Sequence, residues 1–332
     1  MMSSMPPAEL TLRDVYAARQ RIASVAARTP LAPSPTLSGL AGARVRLKLE
    51  CVQHTGSFKV RGAANKLSSL SDEERARGVI TFSTGNHGRA VAFVARQAGV
   101  KAVICLSEMV PANKVEGVRQ FGAEVVRHGQ SQDEAMARAY ELVEERGLTL
   151  VHPFDDPQVI AGQGTIGLEI LEELPGVDTV LVPLSGGGLI GGVALALKAA
   201  NPGTRVIGVS MARGAAMYHS LQAGKPVQVA EKETLADSLS GGVGLDNRYT
   251  FEMVRRFVDE VILLAEEEIA EGMAFTLEEH RLIVEGAGAV GIAALLRGKV
   301  TDLGREVAVV VSGGNVDIAQ VLGLVQEYRP TP

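Results

Sequence analysis

What most constrains this chain is a repeat of short apolar runs, each closed by a small-residue turn and followed by a stretch of helical length. Gly78-Val79-Ile80-Thr81-Phe82, Ala102-Val103-Ile104-Cys105-Leu106, Glu124-Val125-Val126, Leu148–His152, Thr179–Leu184, Arg205–Val209 and Val307–Val311 are strand-sized and rich in β-branched residues. Helical patterns lie between them at 88–99, 112–121, 133–146, 165–174 and 189–200. Strands that are apolar along their whole length are buried on both faces, and this alternation predicts right-handed βαβ units in a parallel sheet. The composition fits: 46% of residues are hydrophobic but only 4% aromatic, so the core must be Ala, Val, Leu and Ile. The expectation is an α/β protein with open parallel sheets in three layers.

The 332 residues suffice for two subdomains. Upstream of the alternation, Leu10 to Val25 reads as helix, Thr29–Pro35 as a break, Val45–Glu50 as a half-buried strand and Gly62–Leu70 as helix. A net charge of −5 argues against nucleic acid as a partner. No apolar run is long enough to cross a membrane, and Met1–Pro7 lacks the basic-then-apolar order of a signal peptide, so a cytoplasmic location is expected. Cys51 and Cys105 are too widely spaced for a metal cluster or a disulfide framework and read as buried small hydrophobes.

The turns carry the chemistry. In Thr55-Gly56-Ser57-Phe58-Lys59-Val60-Arg61-Gly62, Lys59 is the only cation between Thr55 and Val60. A desolvated lysine moves towards the neutral amine that imine chemistry needs. Ser185-Gly186-Gly187-Gly188-Leu189 follows a strand and opens a helix, where successive amides form an anion site. The same loop fits a dinucleotide fingerprint through Gly186, Gly188 and Gly191, but the acidic residue expected about twenty positions later is missing. Arg213 stands there instead, which keeps an NADP-binding reductase as an alternative. A tight structural turn also accounts for the loop taken alone. Ser83-Thr84-Gly85-Asn86-His87-Gly88 offers amides and hydroxyls for a carboxylate or phenolate, or a simple helix cap with a structural His87. Ser312-Gly313-Gly314-Asn315 follows the last strand. Four such turns after four strands point to one crevice at the carboxyl ends of the sheet.

These blocks, with His152-Pro153-Phe154-Asp155-Asp156-Pro157 and Ile160–Thr165, resemble the pyridoxal-phosphate enzymes of fold type II (tryptophan synthase β-like), in the serine/threonine dehydratase and serine racemase group. The resemblance implies a large cofactor domain from residues 1–68 and 153–332, a small inserted substrate domain from 69–152, and a homodimer. It implies that Lys59 holds pyridoxal 5'-phosphate and then acts as general base, and that Phe58 packs beside the cofactor ring. Asn86 would bond the ring oxygen, Ser185, Gly186, Gly187, Gly188 and Leu189 the phosphate, and Ser312 would face the ring nitrogen. Ser83, Thr84, Asn86 and His87 would surround the substrate carboxylate, with Thr84 as a second catalytic group. The implied reaction removes water from a 2-amino-3-hydroxy acid such as threonine or serine and yields a 2-oxo acid and ammonia.

The chain departs from that pattern at several points. Thr84 stands where racemases of the group carry serine, and its extra methyl restricts χ1, which argues against racemisation. Ser185 replaces the first glycine of a tetraglycine loop. Ser210 and the residues after it lack acidic metal ligands, so no metal is expected. Ser238, and Glu285-Gly286-Ala287-Gly288-Ala289 with glycine where proline is common, are similar to a subgroup of hydroxyectoine-utilisation dehydratases. That implies an alternative substrate, a hydroxylated diaminobutyrate derivative or 3-hydroxyaspartate. Glu285 also reads simply as a helix-terminal charge.

Overall fold

The computed structural model describes residues 9–83, 85–110 and 112–328. The first part runs α1 (Leu12–Ile22), β1 (Leu31–Pro33), α2 (Pro35–Ala41), β2 (Arg44–Leu49), α3 (Lys59–Ser68) and α4 (Asp72–Arg77). Next come β3 (Val79–Phe82), α5 (Asn86–Ala98), β4 (Ala102–Leu106), α6 (Ala112–Arg119), β5 (Glu124–Arg127), α7 (Gln132–Arg146) and β6 (Thr149–Leu150). The chain continues through α8 (Pro157–Glu173), β7 (Thr179–Pro183), α9 (Gly188–Ala200), β8 (Arg205–Met211), α10 (Ala216–Ala223) and α11 (Thr250–Phe257). It closes with β9 (Glu260–Leu264), α12 (Glu266–His280), α13 (Gly286–Leu296), β10 (Glu306–Val311) and α14 (Ile318–Glu327).

The strands form two sheets. One has six strands in the order β1-β2-β10-β7-β8-β9, the other four in the order β5-β4-β3-β6. Every pairing is parallel except β1 with β2, an antiparallel edge. All strands of the smaller sheet come from residues 79–150. Both sheets are covered on both faces. In the larger, Leu181, Val309 and Ile207 pack with α12 and α13, while Val180, Val182 and Val310 pack with α8 and α9. In the smaller, Val79 and Ile104 meet α3 and α5, and Ile80 and Val103 meet α7. Truncating a fully buried Ile or Leu in such a layer costs about 2–5 kcal/mol.

Two strands escape the sequence pattern. β1 lies in the proline-rich stretch read as a break, because an edge strand tolerates prolines that a central one does not. β9 is only partly buried at the opposite edge, so it lacks the uninterrupted apolar signature of the inner strands. Helix α8 begins eight residues earlier than expected: Pro157 occupies its first turn and the Asp156 carboxylate accepts from the amides of Gln158 and Val159. Its early turns cross α3 closely. A Cβ on Gly162 would stand 2.7 Å from the Arg61 carbonyl oxygen, so only glycine lets the two backbones meet there.

Candidate active site

Because β2, β10 and β7 are adjacent, the loops leaving their carboxyl ends lie side by side. The loop after β2 and the loop after β10 are bridged at Ser57 and Gly313. Phe58 N donates to Ser312 O at 3.0 Å, and Gly314 N to Gly56 O at 2.9 Å. The loop after β3, from the other sheet, joins them through Asn86, whose Oδ1 accepts from Asn315 Nδ2 at 2.6 Å. Three of the four turns singled out in the sequence are thus bonded into one wall.

Lys59 opens α3 on that wall. It is half-buried; its Nζ donates to the Pro153 carbonyl at 2.8 Å and sits 5.3 Å from the centroid of the Phe58 ring. Desolvation lowers its pKa to about 8, although the Glu285 carboxyl opposes the shift. Phe58 packs against the apolar cluster that holds Leu184, Leu189 and Ile190, which flanks the glycine loop.

That loop, Ser185–Gly188, runs into the first turn of α9, where the opening amides have no acceptor inside the helix. Gly186, Gly187, Gly188 and Leu189 are buried and Ser185 is half-buried. Phe154 closes over it: a Cβ on Gly186 would fall 2.5 Å from the Phe154 ring, and one on Gly188 would fall 2.8 Å from its carbonyl oxygen. Side chains are therefore excluded where the backbone has to approach a ligand. A bare, amide-lined helix start beside an amine of lowered pKa fits a phosphorylated aldehyde. The buried hydroxyls of Thr55 and Ser57, which lack hydrogen-bond partners among the described residues, add polar capacity beside Lys59.

The remaining predicted residues are placed less directly. Asn86, buried at the start of α5, donates from Nδ2 to Glu285 Oε1 at 2.7 Å. Ser83 is half-buried and its Oγ accepts from Gly85 N. Thr84 lies outside the described residues. His87 is buried, with Nε2 3.0 Å from the Val151 carbonyl and Nδ1 unpartnered; desolvation lowers its pKa to about 3, so its ring is neutral. The Ser312 hydroxyl is buried and donates to Ala287 O at 3.3 Å. Arg213, which a nicotinamide reading needs, is exposed and donates to the Glu233 carbonyl.

Two features were not read from the sequence as parts of a site. Glu285 ends a loop before α13, but its carboxyl is buried against Asn86 rather than capping the helix, and desolvation raises its pKa to about 7. Beneath α3 lies a buried ionic cluster: Arg61 bonds both Glu50 and Glu169, and Lys48 Nζ meets Glu169 at 2.6 Å. It ties the helix that starts at Lys59 to β2 and α8. Among the described residues, no group of three or more His, Cys, Asp or Glu is arranged to hold a metal ion.

Residues 22–313 match the family model for the pyridoxal-phosphate dependent enzymes. The L-threonine ammonia-lyase of Thermotoga maritima is 46% identical over 94% of this chain and 77% of its own length. Maize serine racemase superposes with a TM-score of 0.90 at 36% identity, over 96% of this chain and 98% of its own. The T.th. threonine deaminase gives 0.86 at 41% identity, over 93% and 99%.

Proposed function

The chain belongs to the pyridoxal-phosphate dependent enzyme family, and from that premise we propose an ammonia-lyase that dehydrates a 2-amino-3-hydroxy acid, threonine or serine, to a 2-oxo acid and ammonia. The fold is that of the type II enzymes, and pyridoxal phosphate is the cofactor. The observation that carries the reading is Lys59: a half-buried amine of lowered pKa between an amide-lined glycine loop and the Asn86 wall. The nicotinamide alternative leaves both the lysine and that wall without a task.

When bound, the cofactor supplies an electron sink conjugated to the substrate Cα. Ser185 to Leu189 would hold its phosphate with backbone amides, and Phe58 would pack along its ring. Lys59 would hold it, and its freed Nζ would accept the substrate α-proton; an amine shifted down to about 8 is better suited to this near neutral pH than an exposed lysine. Asn86 would donate to the ring oxygen, and Ser312 would give the ring nitrogen a neutral neighbour. Ser83, Thr84 and the helix start at Asn86–His87 take the substrate carboxylate. His87 acts through its backbone, since its buried neutral ring is engaged at Val151. In net balance the substrate gives up its α-proton and its β-hydroxyl as one water, and the released enamine tautomerises to an imine that a second water hydrolyses to the 2-oxo acid and ammonia.

Residues 69–152 are assigned to the substrate domain and 1–68 with 153–332 to the cofactor domain; the division of the strands between the two sheets supports this. A cytoplasmic homodimer completes the reading. No helix among the described residues is long and apolar enough to cross a membrane, and light scattering tests the dimer.

The test is ammonia and 2-oxo acid release from L-threonine, L-serine and 3-hydroxyaspartate. Turnover of threonine or serine supports the reading. Exclusive turnover of 3-hydroxyaspartate shifts it to the alternative substrate, and no release from any hydroxyamino acid by cofactor-loaded protein contradicts it.

A further inference from the structure

Asn86 sits in a chain of hydrogen bonds that has a direction. Arg89 Nη1 donates to Asn315 Oδ1 at 3.3 Å. Asn315 Nδ2 donates to Asn86 Oδ1 at 2.6 Å and to the Thr55 carbonyl at 2.8 Å. Asn86 Nδ2 donates to Glu285 Oε1 at 2.7 Å. A guanidinium can only donate and a carboxylate can only accept, whereas an amide can do either by turning over. With a donor-only guanidinium at one end and, once Glu285 is ionised, an acceptor-only carboxylate at the other, both amides between them are left one satisfactory orientation. Turning Asn86 over would set oxygen against oxygen at Glu285 and N–H against N–H at Asn315.

The placement of Glu285 agrees with this use. It occupies the N-cap position of α13, where an acid ordinarily accepts from the first-turn amides, yet it makes no capping bond there. Its carboxyl turns to Asn86 instead, though burial is costly for it. Gly313 lets it in: a Cβ at that position would stand 2.6 Å from Glu285 Oε1. Asn86 Nδ2 gives its second proton to the Ser238 hydroxyl at 3.4 Å, the longer of its two bonds and the one that a ligand oxygen would replace.

We propose that Arg89 and Glu285 are positioning residues: from the two ends of one relay they fix the Asn86 amide so that it offers a donor, not an acceptor, to the anionic ring oxygen of the cofactor. This rests on the reading in which Asn86 meets that oxygen. Neither residue need touch the cofactor, and their positions in sequence, 196 apart by 285 minus 89, give no hint that they act on one amide.

The test titrates cofactor-free protein with pyridoxal phosphate and follows the visible absorption band and the apparent Kd. Glu285→Gln keeps the shape but can donate as well as accept, which removes the polarity of the relay. Arg89→Met removes the donor at the other end, and Arg89→Lys restores a donor-only group. Both disruptive variants are expected to move the band and weaken Kd roughly tenfold, a loss of about 1.4 kcal/mol, with unchanged far-UV circular dichroism, while Arg89→Lys recovers most of the affinity. Wild-type band and affinity in both would overturn the relay. Should Glu285→Gln fail to fold, the Arg89 pair alone decides. A wild-type protein that forms no band removes the cofactor reading, and the relay falls with it.

Discussion

The amine of Lys59 donates a 2.8 Å hydrogen bond to the carbonyl of Pro153, and the next residue, Phe154, lays its ring where a Cβ of Gly186 would stand. One two-residue segment therefore sets both the lysine and the glycine loop. Anything that displaces Phe154 disturbs the glycine loop and the amine together.

Gly186→Ala puts a methyl carbon 2.5 Å from the Phe154 ring. Overpacking of this kind costs about 1–3 kcal/mol, and the displaced ring spoils the cradle, so cofactor affinity falls along with the melting temperature. Gly39→Ala, which meets nothing within 4 Å, serves as the control and is expected to be neutral or stabilising. Equal melting and cofactor binding in Gly186→Ala and wild type would show that the close contact has no role.

Glu285 gives the cofactor-free protein a pH signature. Its native pKa is raised to about 7 from the usual 4.5, so between those values the native state binds the proton that the unfolded chain has lost. Stability from this group is full below about 4.5 and is lost as pH rises to about 7, a change on the order of 3 kcal/mol at 1.36 per unit. Lys59 acts in a separate window. Its pKa is lowered to about 8, so stability rises with pH from about 8 to the unfolded value of 10.5. Subtracting the melting curve of Glu285→Gln from wild type isolates the first window, and a flat difference from pH 4.5 to 7 would contradict the assignment.

The buried cluster under α3 balances Arg61 and Lys48 against Glu50 and Glu169. Burial pushes the Glu169 carboxyl up, but Arg61 and Lys48 outweigh it and hold the carboxyl below its ordinary value. Glu169→Gln keeps the shape and leaves Lys48 and part of Arg61 uncompensated, a loss of about 3–5 kcal/mol. Arg255→Ala, which breaks an exposed pair with Glu252, should change little. Denaturant unfolding compares them, and a Glu169→Gln midpoint equal to wild type would mean that water or rearrangement replaces the missing charge.

Much of this was legible in the sequence because its signals are local. A strand buried on both faces reads as an apolar run, and a helix start that must approach a ligand reads as glycine, so β3, β4, β7, β10 and the loop at Ser185–Gly188 were visible at once. Lys59 was visible because it is the only cation in the run from Thr55 to Val60. Glu285 was not, since an acid before an apolar helix looks like a terminal charge; only the fold brings it to Asn86, 199 residues earlier. Arg61 was hidden similarly, since its partners come from the residue just after β2 and from α8, and nothing beside it in sequence says that it is buried. His87 shows the converse. The motif offered it both as a site residue and as a structural histidine, and the structure holds its ring against Val151.

The central claim is that Lys59 carries the cofactor and acts on the substrate. Borohydride reduction of the coloured protein followed by peptide mapping tests it most directly. The account predicts a visible band that disappears on reduction, a stable phosphopyridoxyl mass on Lys59 alone, and neither band nor label in Lys59→Ala. A label on another lysine, or none after loading with pyridoxal phosphate, would contradict it.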